Sequence, residues 1–216
     1  MKPILSVFAD SPDQGQGQAR DMPVRWAFEE VGLPYDVRPV PWKQFKEPAH
    51  RARNPFGQIP TIEEGKLTLF ESGAIVLHIA EAGEGLLPRD AEARARAITW
   101  MFAAVTTIQM PIVDREVVEY LEGDKPWAHE RMAMVDDRIR GRFGELAAHL
   151  GGGEWLDGDF SAGDLLMVTV LRRLEGSDLL SEFPTLCAFV ERGKDRPAFK
   201  RAFAGQKAVF EASVKA

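Results

Sequence analysis

The hydrophobic pattern of the sequence changes once, near residue 84, and this change limits the folds that the chain can adopt. Before that point, short apolar runs typical of strands alternate with helical patterns. From Ala91 onwards the patterns are helical throughout, and we expect Pro111 to interrupt the long helical region over residues 91–121. The sequence therefore predicts an α/β domain over residues 1–83, a linker over 84–92 and an all-helical domain over 93–216.

The first domain has the pattern of a small mixed sheet. Ile4–Phe8 is a brief apolar run that suits a buried strand. Pro23–Val31 suits a helix, because proline fits a first turn and Gly32 suits the position just past the end. A strand–helix–strand start requires a right-handed crossover, and the predicted hairpin over residues 61–70 adds an antiparallel edge. Together with a short helix before the hairpin and a longer one after it, the predicted order is βαβαββα.

The charge and the apolar runs exclude several classes of protein. The chain has 27 basic and 33 acidic side chains, a net charge of −6. Phosphate-backbone binders normally carry a basic face, so we expect no nucleic-acid partner. No apolar run approaches the roughly 20 residues of a membrane span, and the N-terminal run is too short for a signal peptide. We expect a cytoplasmic protein with no membrane segment.

Cysteine and histidine usage argues against a metal centre. Cys187 is the single cysteine, which excludes an internal disulfide and a cysteine-based metal cluster. The four histidines show no metal-ligand spacing, so structural or surface roles are favoured for them. We therefore expect no metal.

Two short motifs predict a binding site. Pro60 stands at the start of the predicted third strand, where a missing N–H is tolerated. A cis bond before it would turn the N–H and C=O of Ile59 outwards, where they could pair with an extended peptide. Glu71 and Ser72 end the last strand and begin a helix, so they suit an ammonium and a carboxylate, respectively. Each motif alone is a common turn or helix start, but together they predict a site for the α-amino-acid end of a peptide.

In this order, these features resemble the cytosolic glutathione S-transferase family over essentially the whole chain. The resemblance is carried by four segments: Val24–Tyr35, Asn54–Pro60, Phe70–Ile75 and Phe160–Asp164. It points to a bacterial, Ser-type member, and residues 46–50 match the K-x-P-x-H pattern of the phi class. The resemblance implies a thioredoxin-like N-terminal domain followed by an all-helical domain.

The resemblance also implies how glutathione would bind as the co-substrate. Ile59, beside a cis Pro60, would pair its backbone with the cysteinyl unit. Glu71 and Ser72 would hold the γ-glutamyl end. Gln58 and Lys46 would approach the rest of the tripeptide, with Lys46 at the glycyl carboxylate.

The resemblance leaves open which group ionises the thiol. In the family it is a Tyr, Ser or Cys just after the first strand, and only Ser11 resembles that catalytic position. An apparent insertion over residues 12–23 separates it from the helix. The rival donors are a backbone N–H or the side chain of Gln16, Gln18 or Arg20, and the sequence leaves open whether this loop is ordered without ligand. Gly15-x-Gly17-x-x-Arg20 mimics a dinucleotide-binding loop, but its third position is not glycine.

The resemblance also has implications for the second substrate and for the oligomeric state. It implies a hydrophobic substrate pocket lined by residues of both domains: Trp42, Phe45, Met101, Phe102, Thr106 and Met110. The expected activity is transfer of glutathione to a small hydrophobic electrophile, and a homodimer is implied, with Phe56 at a position that contacts the partner in some relatives. Two alternatives remain open: glutathione-dependent disulfide or peroxide reduction, and a non-catalytic module that binds glutathione or a protein.

Overall fold

The computed structural model describes residues 2–215 and contains the α/β and helical parts that the sequence predicts. The chain divides into two compact units. One unit holds the residues up to Leu87 together with those from Lys194 onwards, and the other is Pro88–Gly193. The division after Leu87 falls within the linker predicted over residues 84–92. The C-terminal residues differ from the prediction, because they belong with the N-terminal unit.

The sheet of the N-terminal unit has four strands in the order β2-β1-β3-β4. The strands are β1 (Ile4–Phe8), β2 (Asp36–Val40), β3 (Thr61–Glu64) and β4 (Leu67–Phe70). β1 and β2 are parallel, whereas β3 is antiparallel to both of its neighbours. The predicted crossover and hairpin are thereby confirmed.

Three helices connect or follow these strands. They are α1 (Met22–Val31), α2 (Pro48–Arg51) and α3 (Ser72–Ala82), and a 3₁₀ turn over Trp42–Gln44 precedes α2. α1 packs on α3 and buries Trp26 and Phe28. It ends where Gly32 adopts a left-handed φ of 68°, as the sequence predicts.

The helical unit is built from α4 (Ala91–Phe102), α5 (Gln109–Leu121), α6 (Ala128–Leu150), α7 (Ala162–Leu171), α8 (Asp178–Ser181) and most of α9 (Pro184–Asp195). α7 is buried along its whole length and packs on α4, while α5 packs on α6. A capping box formed by Ser161 and Asp164 stands at the start of α7.

Pro111 does not interrupt its helix, contrary to the prediction. A π-helical segment over Ala103–Ile108 joins α4 to α5, so one helix runs continuously over Ala91–Leu121. Gln109 donates its backbone N–H to the Ala104 carbonyl, five residues earlier. Proline lacks an N–H and crowds the preceding turn. The wider turn just before Pro111 accommodates both effects, so the helix continues.

The same continuous helix is long enough, and in one 18-residue window apolar enough, to meet a length-and-composition criterion for a membrane span. No such stretch was expected from the sequence. In the protein 39% of this window is buried, and the helix packs on α7 through α4 and on α6 through α5.

The last helix, α10 (Pro197–Val214), packs on α1 in the N-terminal unit. The Phe199 ring meets the Trp26 ring edge to face, with centroids 5.0 Å apart. Arg201 pairs with Glu29 at 2.7 Å, at the rim of the contact. The helical pattern of this segment was evident from the sequence, but its partner was not.

Candidate functional site

The strand register brings both predicted binding motifs to one edge of the sheet. Thr61 of β3 pairs with Ser6 of β1 and with Phe70 of β4, in antiparallel register on both sides. The residues just before Thr61 therefore lie beside the C-terminal ends of β1 and β4. Ile59–Pro60 and Glu71–Ser72 meet at this edge, and the loop that follows β1 begins there.

The backbone of Ile59 is open for pairing. The Ile59–Pro60 peptide bond is cis. The Ile59 side chain is buried in a cluster with Val40 and Phe45. Among the hydrogen bonds of residues 2–215, none uses the backbone N–H or C=O of Ile59. The buried side chain holds Ile59 in place, so its backbone presents one donor and one acceptor to an extended ligand.

Close packing holds the loop before Pro60. The buried Asn54 accepts the Phe56 N–H at 3.0 Å with its side-chain oxygen and donates its amide to the Gln58 carbonyl at 3.1 Å. Gly57 has a φ of +61°, and a Cβ there would lie 2.4 Å from the Phe45 carbonyl oxygen. Glycine is therefore required at this position by both the backbone conformation and the close approach.

Glu71 has an unusual backbone conformation for a residue with a side chain. Its φ is 70° and its ψ is 113°. Such strain is concentrated at functional sites in proteins. Ser72 follows as the first residue of α3 and is nearly buried. The Glu71 carboxylate and the N-terminus of α3 therefore stand next to each other, as an ammonium and a carboxylate on one ligand carbon require.

Gln58 lies on the loop before Pro60, whereas Lys46 precedes α2 and already has partners on that loop. Its ammonium donates to the Phe56 carbonyl at 2.7 Å and to the Gly57 carbonyl at 3.2 Å. The Gln58 side chain is exposed. Lys46 therefore stabilises the loop backbone in addition to any contact with a ligand.

The loop after β1 is folded around the carboxylate of Asp13. This carboxylate accepts the backbone N–H groups of Gly15 at 3.2 Å, Gln18 at 2.6 Å and Ala19 at 3.0 Å. It also accepts the hydroxyl of Ser11, which is 6% exposed. The predicted thiol-activating hydroxyl is thus hydrogen-bonded to a carboxylate.

The same loop is packed against α10. A Cβ on Gly15 would lie 3.2 Å from the Lys207 Cα and 3.2 Å from the Phe210 Cβ. Gln206 donates to Asp21, at the end of the loop, at 3.3 Å. Three backbone N–H groups that a phosphate-binding loop would offer to a ligand turn inwards to Asp13. This geometry argues further against a dinucleotide site.

Tyr35 packs on other residues of the N-terminal unit, and Tyr120 and Cys187 belong to the helical unit. Tyr35 stacks on Phe28 with ring centroids 4.7 Å apart, and burial raises the pKa of its hydroxyl. In the helical unit, Tyr120 is exposed and Cys187 donates its thiol to the Leu180 carbonyl. Tyr35 therefore has a packing role, and the sulfur of Cys187 belongs to the helical unit.

The predicted pocket residues differ in exposure within their own units. In the N-terminal unit Phe45 is buried, whereas Trp42 is 63% exposed and stacks on Phe8. In the helical unit Met101 is buried, whereas Phe102, Thr106 and Met110 are exposed. Phe45 and Met101 are therefore core residues, and the four exposed side chains are the ones available to a substrate.

Sequence reasoning gave no ligand-related role to three residues that build this edge. Asp13 organises the loop after β1, and Asn54 and His50 both contact the Gln58 carbonyl. A signal was present for the last two, because residues four apart on a helical turn share one side. No comparable pattern indicated the role of Asp13.

Comparison with known proteins gives consistent results. Residues 14–81 match the family model described as glutathione S-transferase, N-terminal domain. A glutathione S-transferase-like protein of Aspergillus terreus is 32% identical over 208 residues, which cover 87% of this chain and 91% of that protein. Glutathione S-transferase 4 of Zea mays is 30% identical over 187 residues, covering 80% and 82% of the two chains.

Solved structures agree with the architecture described above. A glutathione transferase from Burkholderia graminis, with two glutathione molecules bound per subunit, superposes with a TM-score of 0.81. It is 25% identical to this chain, and the match covers 94% of this chain and 87% of the other. The predicted fold class is confirmed by this similarity.

Proposed function

Because the chain belongs to the glutathione S-transferase family, we propose that it binds glutathione, ionises the thiol and transfers the sulfur to a small hydrophobic electrophile. The observation that carries this proposal is the open backbone of Ile59 beside Glu71 and Ser72 at one edge of the sheet. In the reaction, the thiolate forms a carbon–sulfur bond. In a substitution, the electron pair of the broken bond departs with the leaving group. In an addition, the displaced π electron pair takes up a proton.

Glutathione would lie along this edge in an extended conformation. Its γ-glutamyl ammonium would contact Glu71, and its γ-glutamyl carboxylate would contact the Ser72 hydroxyl and the N-terminus of α3. The cysteinyl unit would pair with the Ile59 backbone, which directs its thiol towards the loop after β1. The glycyl end would approach Gln58 and Lys46. The Burkholderia relative with bound glutathione supports this choice of ligand.

The thiol requires help to ionise at neutral pH. With a free pKa of about 8.5, only about 3% of it is thiolate at pH 7. Lowering the bound pKa by about two units needs roughly 2.7 kcal/mol of differential stabilisation. We keep Ser11 as the proposed donor. Since a hydroxyl has one proton, that proton would have to turn from Asp13 to the thiolate.

Substitution of Ser11 tests this assignment. We expect Ser11→Ala to raise the pKa of the bound thiol by about one unit or more, because a charge-assisted hydrogen bond is lost. The pKa is read from thiolate absorbance in the ultraviolet across pH. Ser181→Ala, in the helical unit, is the matched control. An unchanged pKa in Ser11→Ala would assign the role to another group of the loop.

The electrophile would meet apolar side chains. Trp42 is an exposed aromatic residue of the N-terminal unit, and its ring stacks on Phe8 near the Ile59 cluster. In the helical unit, Phe102, Thr106 and Met110 are the exposed candidates along the continuous helix. Substitution of these residues is expected to change KM for the electrophile more than KM for glutathione.

Glutathione-dependent disulfide reduction is a second candidate. The Burkholderia relative binds two glutathione molecules per subunit. Two such thiols reduce a disulfide without a protein cysteine: the first forms a mixed disulfide and the second releases oxidised glutathione. Parallel assays with an aromatic chloride and with a small disulfide distinguish the two reactions.

Calorimetry separates both enzymatic functions from simple binding. Titration with glutathione and with S-methylglutathione at several pH values measures the preference for a free thiol. A preference for glutathione that increases with pH supports ionisation in the site. Equal binding at every pH would favour a non-catalytic module, a role that the hydrogen bond from Ser11 to Asp13 also suits. Absence of binding would reject both enzymatic functions.

A further inference from the structure

The Gln58 carbonyl receives two buried side-chain donors. His50 Nε2 lies 2.9 Å from this oxygen and Asn54 Nδ2 lies 3.1 Å from it. His50 is 3% exposed and Asn54 is 2% exposed. Because a carbonyl oxygen only accepts, the His50 ring must carry a proton on Nε2. Both lone pairs of the oxygen are therefore used inside the protein.

We call these two donors, His50 and Asn54, the clamp. The clamp determines which way the peptide group between Gln58 and Ile59 faces. The Gln58 oxygen and the Ile59 N–H belong to the same peptide plane, and in a trans peptide they point in opposite directions. The cis bond lies one residue later, at Pro60. Holding the oxygen inwards therefore turns the Ile59 N–H outwards, towards the edge where the ligand is expected.

The clamp has its own support. The His50 ring stacks on Phe45 with centroids 5.3 Å apart. The Asn54 side-chain oxygen accepts the Phe56 N–H, and its backbone carbonyl accepts the Gly57 N–H at 2.8 Å. Among the described residues, no hydrogen-bond partner reaches His50 Nδ1. Within the described part of the chain, the His50 imidazole ring thus has one hydrogen bond, the one with the Gln58 carbonyl.

We propose that His50 and Asn54 are positioning residues for glutathione: they hold the Gln58 carbonyl and so direct the Ile59 N–H to the cysteinyl carbonyl of the ligand. This role rests on the proposed function. Neither residue touches the ligand. Their removal weakens binding of the tripeptide backbone and leaves thiol ionisation unchanged.

Three substitutions distinguish the loss of a hydrogen-bond donor to the Gln58 carbonyl from a mere change of side-chain size. His50→Leu removes the donor, whereas His50→Gln keeps an N–H of similar reach. Asn54→Asp removes one donor and keeps the acceptor for Phe56. We expect His50→Leu and Asn54→Asp to raise the dissociation constant of glutathione about three- to tenfold. We expect His50→Gln to stay within about twofold. His78→Leu, on α3 and paired with Glu64, is the control for loss of a histidine and is expected to have no effect.

A modified ligand tests the specific contact. An analogue with an ester in place of the cysteinyl–glycyl amide has a weaker acceptor at the cysteinyl carbonyl. It is expected to bind wild type several-fold less tightly than glutathione does. In His50→Leu this penalty should shrink, since the Ile59 N–H is no longer held towards it. An equal penalty in both proteins would overturn the positioning role.

A measurement without ligand keeps this claim separate from the proposed function. The carbonyl carbon shift of Gln58 and the amide nitrogen shift of Ile59 report on hydrogen bonds to that oxygen. Both should move in His50→Leu and remain near wild type in His50→Gln. Unmoved shifts would refute the clamp. Failure of wild type to bind glutathione would refute the proposed function and the positioning role for this ligand, even with the clamp intact.

Discussion

Gly57 and Gly65 have nearly the same backbone conformation in different surroundings. Their φ angles are 61° and 62°. A Cβ at Gly57 would meet the Phe45 carbonyl oxygen at 2.4 Å, whereas nothing lies within 4 Å of one at Gly65. We expect Gly65→Ala to lower the free energy of unfolding by about 1 kcal/mol and Gly57→Ala by about 3 kcal/mol. Chemical denaturation measures both.

Glutathione affinity adds a second comparison for this pair. Because Gly57 lies two residues before Ile59, a shift of its backbone also moves the binding edge. Gly57→Ala should therefore bind glutathione more weakly, while Gly65→Ala should not. Equal stability losses in the two variants would mean that the close approach is not what requires glycine at residue 57.

Asp13 offers another test at single-residue scale. Asp13→Ala removes the acceptor of three backbone N–H groups and one hydroxyl, so the loop should loosen. We expect faster trypsin cleavage after Arg20, with the free energy of global unfolding changed by less than about 1 kcal/mol. The exposed Asp10 provides the matched variant, Asp10→Ala. Cleavage at the wild-type rate in Asp13→Ala would show that the loop is held by other contacts.

The start of α7 depends on one buried carboxylate. Asp164 accepts the Leu156 N–H at 2.8 Å and the Ser161 N–H at 2.9 Å, and it is 0% exposed. We expect Asp164→Ala to lower the free energy of unfolding by about 3–5 kcal/mol, since two buried N–H groups lose their acceptor and the helix loses its cap. Glu154→Ala, nearby and exposed, is the control. A loss below about 1 kcal/mol would contradict this account.

Burial also gives Asp164 a pH dependence of defined sign. Desolvation raises the pKa of its carboxyl, although N–H donors from Leu156 and Ser161 act to lower it. A raised folded-state pKa means that protonation favours the fold. This contribution is complete below the unfolded pKa of about 3.9 and is lost as pH rises through the folded value. The stability advantage of wild type over Asp164→Ala should therefore decrease across that range.

Element by element, the sequence predicted most of the N-terminal unit because its signals are local. Ile4–Phe8 and Ser72 as a helix start need only nearby residues to specify them, and both were placed correctly. Pro111 was misjudged, since a helix can absorb a proline by widening the preceding turn. The partner of α10 was missed because amphipathic residues show that a face is buried and not what covers it.

Parts of the candidate site could likewise be predicted from the sequence, and other parts could not. The order of Pro60, Glu71 and Ser72 on the chain, with the strands between them, was enough to predict that they meet at one edge. The roles of Asp13 and His50 depend on hydrogen bonds to particular backbone atoms. Such contacts follow from the exact path of a loop, which no periodicity in the sequence reports.

At the scale of the whole molecule, the family resemblance predicts a homodimer. Phe56 is 61% exposed and its ring meets Phe70 at 6.1 Å. We expect light scattering to give about twice the chain mass of 24.0 kDa. Phe56→Ser should shift the equilibrium towards the monomer, because a partner would lose an apolar contact. Val214→Ser, also an exposed apolar residue, should not. A mass near that of one chain for wild type would contradict the prediction.

The contact between α1 and α10 has a consequence for how the chain is made. Glu29 and Arg201, which pair across it, are 172 residues apart in sequence. On the ribosome α1 emerges well before α10, so the part of α1 that α10 covers stays uncovered until α10 has been synthesised. The helical unit, whose sequence is contiguous, can close earlier. The N-terminal unit thus starts to form before the helical unit is synthesised, and it is completed only after that unit.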